Sequence, residues 1–326
     1  MGPAMGRDTV GSMGEEMKLI SVVSPCYNEE GNVGVLTDRV RELFAEMPQY
    51  RYEHIIIDNN STDGTVDELR KIAAQDKNVK VIVNARNFGH IRSPHHALLE
   101  AKGDAVIVLL SDLQDPPELI KDFVREWEAG WPIVVAIKTV SDESSLMYAI
   151  RSAYYKTIAK LTDVKVFEHF TGFGLYDRKV MEILRKDFRD PNPYFRGQIA
   201  EIGLPAKKIE YHQKRRTRGI TKNNWYTLYD MAMLGITNLS KIPLRAVVFL
   251  GFVCALLSMA VGLFYLVFKL LFWNHFVLGL APTMIGLFFL GSVQLISLGI
   301  IGEYVGSIHN IVQNRPLVTE KERINF

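Results

Sequence analysis

Two long apolar runs near the C-terminal end constrain the fold of this chain more than any other feature. They cover residues 244–268 and 276–301, and Pro282 and Gln294 interrupt the second. Each run exceeds the ~20 residues that a helix needs to cross the hydrocarbon core of a bilayer. Buried core helices are the alternative, although a soluble helix of this length normally keeps a polar face. We therefore predict a two-helix transmembrane hairpin over residues 244–304.

The basic residues around these runs predict how the hairpin is oriented. Many lysines and arginines occur between residues 207 and 245, and further ones follow the second run, whereas the connector offers only Lys269 and His275. The positive-inside rule then places the large N-terminal part and the tail, residues 305–326, in the cytoplasm. Residues 1–17 have no apolar core of a secretory signal, and we expect a disordered tail there.

The remaining part of the chain, residues 18–222, has the pattern of a soluble domain. Short β-branched runs alternate with segments of helical length, and this alternation predicts an α/β fold with a mainly parallel sheet and helices on both faces. The 326-residue chain has a net charge of +2 and two cysteines, so we expect neither a nucleic-acid partner nor a disulfide framework. Strands are predicted at residues 19–24, 52–57, 79–83 and 105–110.

Polar loops follow these predicted strands and should meet in one crevice, because open α/β sheets bind ligands at the carboxyl ends of their strands. The loop after residue 110 contains Asp112, Gln114 and Asp115. Two carboxylates and an amide oxygen are hard ligands that suit Mg²⁺ or Mn²⁺. A polar loop with an Asp N-cap is the alternative for such a short pattern. Tyr27, in the first loop, can stack on the base of a nucleotide.

Four motifs, in this order, resemble family 2 glycosyltransferases with the GT-A fold. They are Pro-Cys-Tyr-Asn-Glu at 25–29, Asp-Asn-Asn-Ser-Thr-Asp-Gly-Thr at 58–65, Asp-Leu-Gln-Asp-Pro-Pro-Glu at 112–118 and Arg-Thr-Arg-Gly-Ile-Thr-Lys at 216–222. The last two resemble the polyprenyl-phosphate subgroup, which includes dolichyl-phosphate mannose synthases and bacterial undecaprenyl-phosphate glucosyltransferases. The resemblance extends over nearly everything from Lys18 onward.

The resemblance implies a membrane-bound, inverting glycosyltransferase of the bacterial cytoplasmic membrane. It would move one sugar from a nucleotide-sugar, most simply a UDP-sugar, to undecaprenyl phosphate. By family analogy the nucleotide is bound by Pro25, Tyr27, Glu29, Asp58 and Ser111. Mg²⁺ or Mn²⁺ is assigned to Asp112 and Gln114, the diphosphate or acceptor phosphate to Arg151, Arg215 and Arg218, and catalysis to Asp112, Arg216 and Lys222.

Three positions depart from the family pattern. Leu110 stands where the family has the first Asp of its Asp-x-Asp, and Asn59 replaces the second Asp of the nucleotide loop. Gly172 occupies the place of an acidic residue, so the catalytic acid or base is not identified; Glu168 is nearby in sequence. A phosphate acceptor tolerates this loss, because a phosphate monoester is already mostly dianionic at pH 7 and needs no strong base.

Several alternatives stay open at this point. Residues 223–243 form an amphipathic helix that lies on the membrane or packs on the soluble domain. A catalytically impaired scaffold of the same fold would explain the three departures, and a processive polysaccharide synthase is a further alternative. Glycines in the apolar runs permit close helix contacts and hence a homo-oligomer. These glycines are Gly251, Gly262, Gly286 and Gly291.

Overall fold

A computed structural model describes residues 17–140, 167, 169–213, 233, 235–237, 240–272 and 280–326. Several sequence predictions fall outside these residues. They concern residues 1–16, Arg151, Glu168, the basic segment 214–222 and 13 of the 21 residues of the juxtamembrane segment 223–243.

The described elements alternate as the sequence pattern predicts. In chain order they are β1 Leu19–Cys26, α1 Glu30–Ala45, β2 Arg51–Asp58, α2 Thr65–Gln75, β3 Val79–Asn84, α3 Gly89–Glu100, β4 Ala105–Val108, α4 Leu119–Glu128, β5 Ile133–Val140, β6 Phe170–Asp177, α5 Arg178–Asp187, α6 Phe195–Ile202, β7 Ala206–His212, α7 Ile242–Leu271, α8 Leu280–Val312 and β8 Glu320–Ile324. β4 ends two residues before the predicted strand end at Leu110.

The described strands form one eight-stranded sheet in the order β7-β5-β6-β4-β1-β2-β3-β8. β1 pairs in parallel with β2 and β4, and β2 pairs in parallel with β3. β6 runs antiparallel to both β4 and β5, so the sheet is mixed but mostly parallel. The loops after β1, β2, β3 and β4 therefore open at the same edge of the sheet.

Helices cover both faces of the sheet, as the sequence predicts. On β1, Val22 packs with residues of α1 and α4, while its neighbour Val23 packs with residues of α3, α5 and α6 on the opposite face. This alternation follows from the two-residue period of a strand. β1 and β4 are apolar along most of their length, as is the Ile55–Ile57 part of β2, because they are buried on both sides. The expected α/β class is thus confirmed.

α7 contains the whole first apolar run, and α8 contains the second run from Leu280 onward and continues to Val312. Each includes a stretch long and apolar enough to cross a membrane, Ile242–Phe264 with 23 residues and Gly286–Val312 with 27 residues. No part of these stretches is buried inside the protein, and Val248 and Phe288 are 72% and 71% exposed. The core-helix alternative would require burial. In the C-terminal part of α8, the Tyr304 hydroxyl donates to the carbonyl oxygen of Ser240, just before α7, at 2.6 Å.

β8 is an element that the sequence analysis did not predict. It follows α8 and pairs antiparallel with β3, with Val81 opposite Ile324 and Val83 opposite Glu322. Just before it, Arg92 of α3 donates to the carbonyl oxygens of Leu317 at 2.8 Å and Pro316 at 2.6 Å. The tail therefore connects the second apolar helix to the β3 edge of the eight-stranded sheet.

Candidate active site

The candidate site lies where β1, β2 and β4 end. The loop after each of these strands contains one non-glycine residue in the left-handed region, namely Asn28 (φ 57°), Asn60 (φ 64°) and Leu113 (φ 57°). Such conformations are costly and collect at functional sites. Asparagine tolerates them, whereas leucine does not, so the turn at Leu113 must be held by its surroundings.

The loops after β1 and β2 are joined by hydrogen bonds. The Asn28 backbone N–H donates to Ser61 Oγ at 2.8 Å, and the Thr62 N–H donates back to Asn28 Oδ1 at 2.8 Å. The Glu29 N–H donates to Thr65 Oγ1 at 2.9 Å. These bonds fix the spacing of the two motifs that family analogy assigns to the nucleotide.

Asp58 is fully buried at the end of β2. Its carboxylate accepts the Ser61 N–H at 2.9 Å, and the Ser61 hydroxyl donates to it as well. Burial raises the pKa of Asp58, while the bonds from Ser61 act in the opposite direction. Burial, followed by the nearby Asp58 charge, also raises the pKa of the Cys26 thiol well above its usual value. Cys26 is therefore held as an inert thiol and is unsuited to be a nucleophile.

Asn59 links the loop after β2 to the loop after β3. Its Nδ2 donates to Asn87 Oδ1 and to the carbonyl oxygen of Gly89, both at 3.0 Å. Its Oδ1 accepts from the Phe88 N–H at 2.9 Å and from Asn84 Nδ2 at 3.2 Å. An aspartate has no proton to donate to Gly89, so this departure from the family pattern has a structural role of its own.

The loop after β4 presents the predicted metal ligands. The Gln114 N–H donates to Asp112 Oδ1 at 3.2 Å, which closes a tight turn around Leu113. The Leu113 side chain packs against the core cluster on the α1 and α4 face, and this packing offsets the strain of its backbone. Asp112 and Gln114 are both half-buried. Ser111 is buried, and its Oγ has no hydrogen-bond partner among the described residues.

Asp115 connects this turn to the end of β7. It is fully buried, and its Oδ1 accepts from the Tyr211 hydroxyl at 2.6 Å and from Gln213 Nε2 at 3.0 Å. Oδ2 has no hydrogen-bond partner among the described residues. Burial raises the pKa of Asp115, and the charge of Asp112 acts in the same direction. Gln213 is the last described residue before the basic segment 214–222.

Gly172 lies on β6 with a positive φ of 107°, which favours glycine. A Cβ at this position would meet only the Phe195 ring, at 3.7 Å, so space alone does not exclude a side chain. The Gly172 carbonyl oxygen accepts from the Tyr176 hydroxyl at 2.7 Å. No carboxylate is supplied at this position, as the sequence indicates.

The structure brings together part of the predicted site. The described residues assigned to nucleotide or metal lie at one edge of the sheet, and they are Pro25, Tyr27, Glu29, Asp58, Ser111, Asp112 and Gln114. Arg151, Arg215, Arg216, Arg218 and Lys222 lie outside the described residues, so their placement stays a prediction. Among the described residues there is no group of three His, Cys, Asp or Glu side chains that could hold a metal alone.

The donor set at this edge nevertheless fits a divalent cation that shares its coordination with a substrate. Mg²⁺ keeps several waters and is commonly held by one or two carboxylates together with substrate phosphates. The Asp112 carboxylate and the Gln114 amide oxygen provide such an incomplete set. A diphosphate would supply the remaining oxygens.

The residues that join the loops at this edge of the sheet by hydrogen bonds were not predicted from the sequence. Asn87 and Tyr211 were not among the predicted site residues, and Asn59 was noted only as a departure. Their contacts join residues far apart in sequence, and Asp115 and Tyr211 are separated by 96 positions. The one local signal was the polar composition of the loop 84–89.

Comparison with known proteins identifies the family. The family model described as glycosyl transferase family 2 matches residues 21–184. A bactoprenol glucosyl transferase derived from a prophage of Shigella flexneri is 35% identical over 298 residues, which is 91% of this chain and 96% of that protein. An uncharacterized glycosyltransferase of Synechocystis sp. is 34% identical over 299 residues, covering 91% of this chain and 93% of that protein.

A prophage bactoprenol glucosyl transferase homolog of Escherichia coli K12 is 32% identical over 298 residues, with 91% of this chain and 96% of that protein covered. The similarity thus extends past the soluble domain into the two apolar helices. The mixed, mostly parallel sheet agrees with the GT-A class expected from the motifs. The chain belongs to glycosyl transferase family 2, and it is a glycosyltransferase.

Proposed function

We propose that the protein transfers a single sugar from a nucleotide-sugar, a UDP-sugar, to undecaprenyl phosphate with inversion at the anomeric carbon. The products are a lipid-phosphate-linked monosaccharide and the nucleoside diphosphate. One observation carries the proposal: the turn with Asp112 and Gln114 is hydrogen-bonded, through Asp115, to the residue that precedes the basic segment. A cation site for one phosphate group and a basic segment for another thus originate at the same edge of the sheet.

The donor side depends on Asp112 and Gln114. When bound there, Mg²⁺ or Mn²⁺ acts as a Lewis acid that neutralises the charge on the departing diphosphate. The chain itself contributes the orientation of these two ligands. The bond from the Gln114 N–H to Asp112 Oδ1 and the packed Leu113 side chain hold both ligands before the substrate arrives.

The acceptor side depends on the basic segment. The segment contains Lys214, Arg215, Arg216, Arg218 and Lys222 within nine residues, 214–222. Arginine binds phosphate through a planar fork and lysine as a point charge. Because the acceptor phosphate is already dianionic, these cations have to hold it close to a second anion rather than remove a proton from it.

The apolar helices support a lipid acceptor. We infer that α7 and α8 cross the cytoplasmic membrane, with the catalytic domain on the cytoplasmic side. None of the described residues buries the exposed apolar surface of these helices, and exposed apolar patches of this size indicate a membrane or protein partner. The relatives named bactoprenol glucosyl transferases support the same class of acceptor.

The test uses the purified full-length protein with undecaprenyl phosphate, Mg²⁺ or Mn²⁺ and a panel of nucleotide-sugars labelled in the sugar. We expect one labelled monosaccharide per lipid with a UDP-sugar. A labelled polymer would instead identify a processive synthase. Absence of product with every donor and both metals would leave the scaffold alternative.

A further inference from the structure

Asp115 is a buried carboxylate that takes part in no chemical step of the proposed reaction. It has no exposed surface, and its two described hydrogen bonds come from Tyr211 and Gln213 at the end of β7. A buried charge is costly unless it is hydrogen-bonded. Retaining one here, three residues after Asp112, calls for an explanation.

Tyr211 offers a rigid donor to this carboxylate. The Tyr211 ring is 6% exposed and packs edge-on against Phe173 of β6, with ring centroids 5.8 Å apart. Its backbone belongs to β7, which pairs with β5 through residues 206–212. The hydroxyl is therefore fixed by both the sheet and the core. Burial, followed by the charge of Asp115, raises the pKa of Tyr211, so it remains a donor.

The second donor to Asp115 is Gln213, the residue directly before the basic segment. Its Nε2 lies 3.0 Å from Asp115 Oδ1. Lys214, the first residue of the basic segment, follows Gln213 directly in the sequence. The same carboxylate thus contacts the residue before the basic segment and follows directly on the turn that carries Asp112 and Gln114.

We propose that Asp115 is a positioning residue that holds the end of β7, from which the basic segment continues in sequence, against the cation-binding turn with Asp112 and Gln114. The proposal rests on the proposed function, in which those two elements hold the two phosphate groups. Asp115 acts through Tyr211 and Gln213 and contacts neither substrate. Its loss should raise the KM for the lipid phosphate more than the KM for the nucleotide-sugar, because the turn with Asp112 keeps its own bonds.

The arrangement of the bonds makes a conservative variant decisive. Both donors bind Oδ1, and Oδ2 has no described partner. In Asp115→Asn the amide oxygen can accept both bonds, and the new N–H₂ takes the place of Oδ2. A positioning role predicts that Asp115→Asn stays within about threefold of the wild type in acceptor KM, whereas Asp115→Ala raises it about tenfold or more.

The experiment measures the KM for undecaprenyl phosphate, the KM for the donor, kcat, and the Mn²⁺ affinity by electron paramagnetic resonance, all on the full-length protein. Tyr211→Phe is a second variant, which leaves Asp115 in place should Asp115→Ala fail to fold. We expect it to raise the acceptor KM without changing Mn²⁺ affinity. Tyr52→Phe is the matched control, since it removes a hydroxyl bond to Asp76 (3.2 Å) at the opposite end of the sheet.

Three results would overturn the proposal while the wild type remains active. Asp115→Asn could be as impaired as Asp115→Ala and lose Mn²⁺ affinity, which would make the carboxylate a metal ligand. Asp115→Ala and Tyr211→Phe could leave the acceptor KM unchanged. Tyr52→Phe could match Tyr211→Phe, which would indicate general destabilisation. A wild type without any transfer would contradict the proposed function instead.

Discussion

Asp112 is the residue on which the proposed chemistry depends most directly. It lies half-buried at the end of β4, and its Oδ1 accepts the Gln114 N–H. Asp112→Asn keeps an oxygen for that bond but removes the negative charge that a divalent cation requires. We expect turnover to fall by about a thousandfold or more, a loss typical for key electrostatic groups, while the thermal unfolding midpoint is unchanged.

Asp122→Asn is the control for this measurement. Asp122 is another aspartate of the same domain, paired with Arg125 one helical turn away on α4. An exposed ion pair of this kind contributes little to stability, so full activity is expected. Near-normal turnover of Asp112→Asn would remove the cation from the mechanism.

Asn59 allows a prediction that runs against the family pattern. Asn59 Nδ2 donates to the carbonyl oxygen of Gly89 at 3.0 Å. The variant Asn59→Asp, which restores the family residue, would replace this donor with a carboxylate oxygen, so that two acceptors would lie against each other. Leaving such a group without a donor costs about 1–3 kcal/mol of unfolding free energy. Urea unfolding of the purified protein should show this loss. A variant that is equally stable and more active would mean that Asn59 is a weakened nucleotide contact and nothing more.

At the scale of elements, β2 carries a histidine that makes the domain sensitive to acid. His54 is fully buried, and its Nε2 lies 2.9 Å from Ser24 Oγ of β1. Burial lowers the pKa of His54 to about 4. The unfolded chain takes up this proton below about pH 6.5, whereas the folded chain resists it until about pH 4.

The stability due to neutral His54 is therefore complete above pH 6.5 and decreases as the pH falls toward 4. The loss amounts to about 3 kcal/mol at the lower limit. His54→Gln, which can still bond Ser24, should flatten the dependence of the unfolding midpoint on pH in this window. An unchanged acid slope in the variant would assign the effect to other groups, such as His95, whose pKa burial also lowers to about 4.

The residue that follows β8, Asn325, tests whether the C-terminal tail is a structural part of the domain. Asn325 Nδ2 donates to the carbonyl oxygens of Ala73 at 2.7 Å and Val79 at 2.8 Å, so it closes the tail onto α2 and β3. Asn325→Ala should cost about 1–3 kcal/mol of unfolding free energy, because these carbonyls lose their donor. Lys321→Ala, at an exposed position of β8, should have no measurable effect in the same unfolding experiment. Equal effects of the two variants would argue against the tail as a structural part of the domain.

At the scale of the whole molecule, the sequence predicts elements better than the contacts between them. Strand ends such as Asp58 and the two apolar runs carry local signals: β-branched runs, turn residues and length. β8 carries none, because Glu320–Ile324 is short and charged and becomes a strand only by pairing with β3. The hydrogen bond between Asp115 and Tyr211 could likewise not be predicted from the sequence, since no local pattern links positions so far apart.

The glycines of the apolar helices bear on whether whole molecules associate with one another. A Cβ added at Gly251, Gly262, Gly286 or Gly291 would meet no atom of the described protein within 4 Å. These positions are therefore open to a partner helix, and a homo-oligomer through α7 and α8 stays a prediction. Light scattering of the detergent-purified protein would test it.

The most direct test of the central claim compares undecaprenyl phosphate with undecaprenol, the same lipid without its phosphate, under one donor and one metal. If two anions are held at the same edge of the sheet and the lipid phosphate attacks the sugar, the label enters the lipid fraction only when the lipid is undecaprenyl phosphate and not when it is undecaprenol. Equal labelling of undecaprenol would contradict the account, because the basic segment would then have no phosphate to hold.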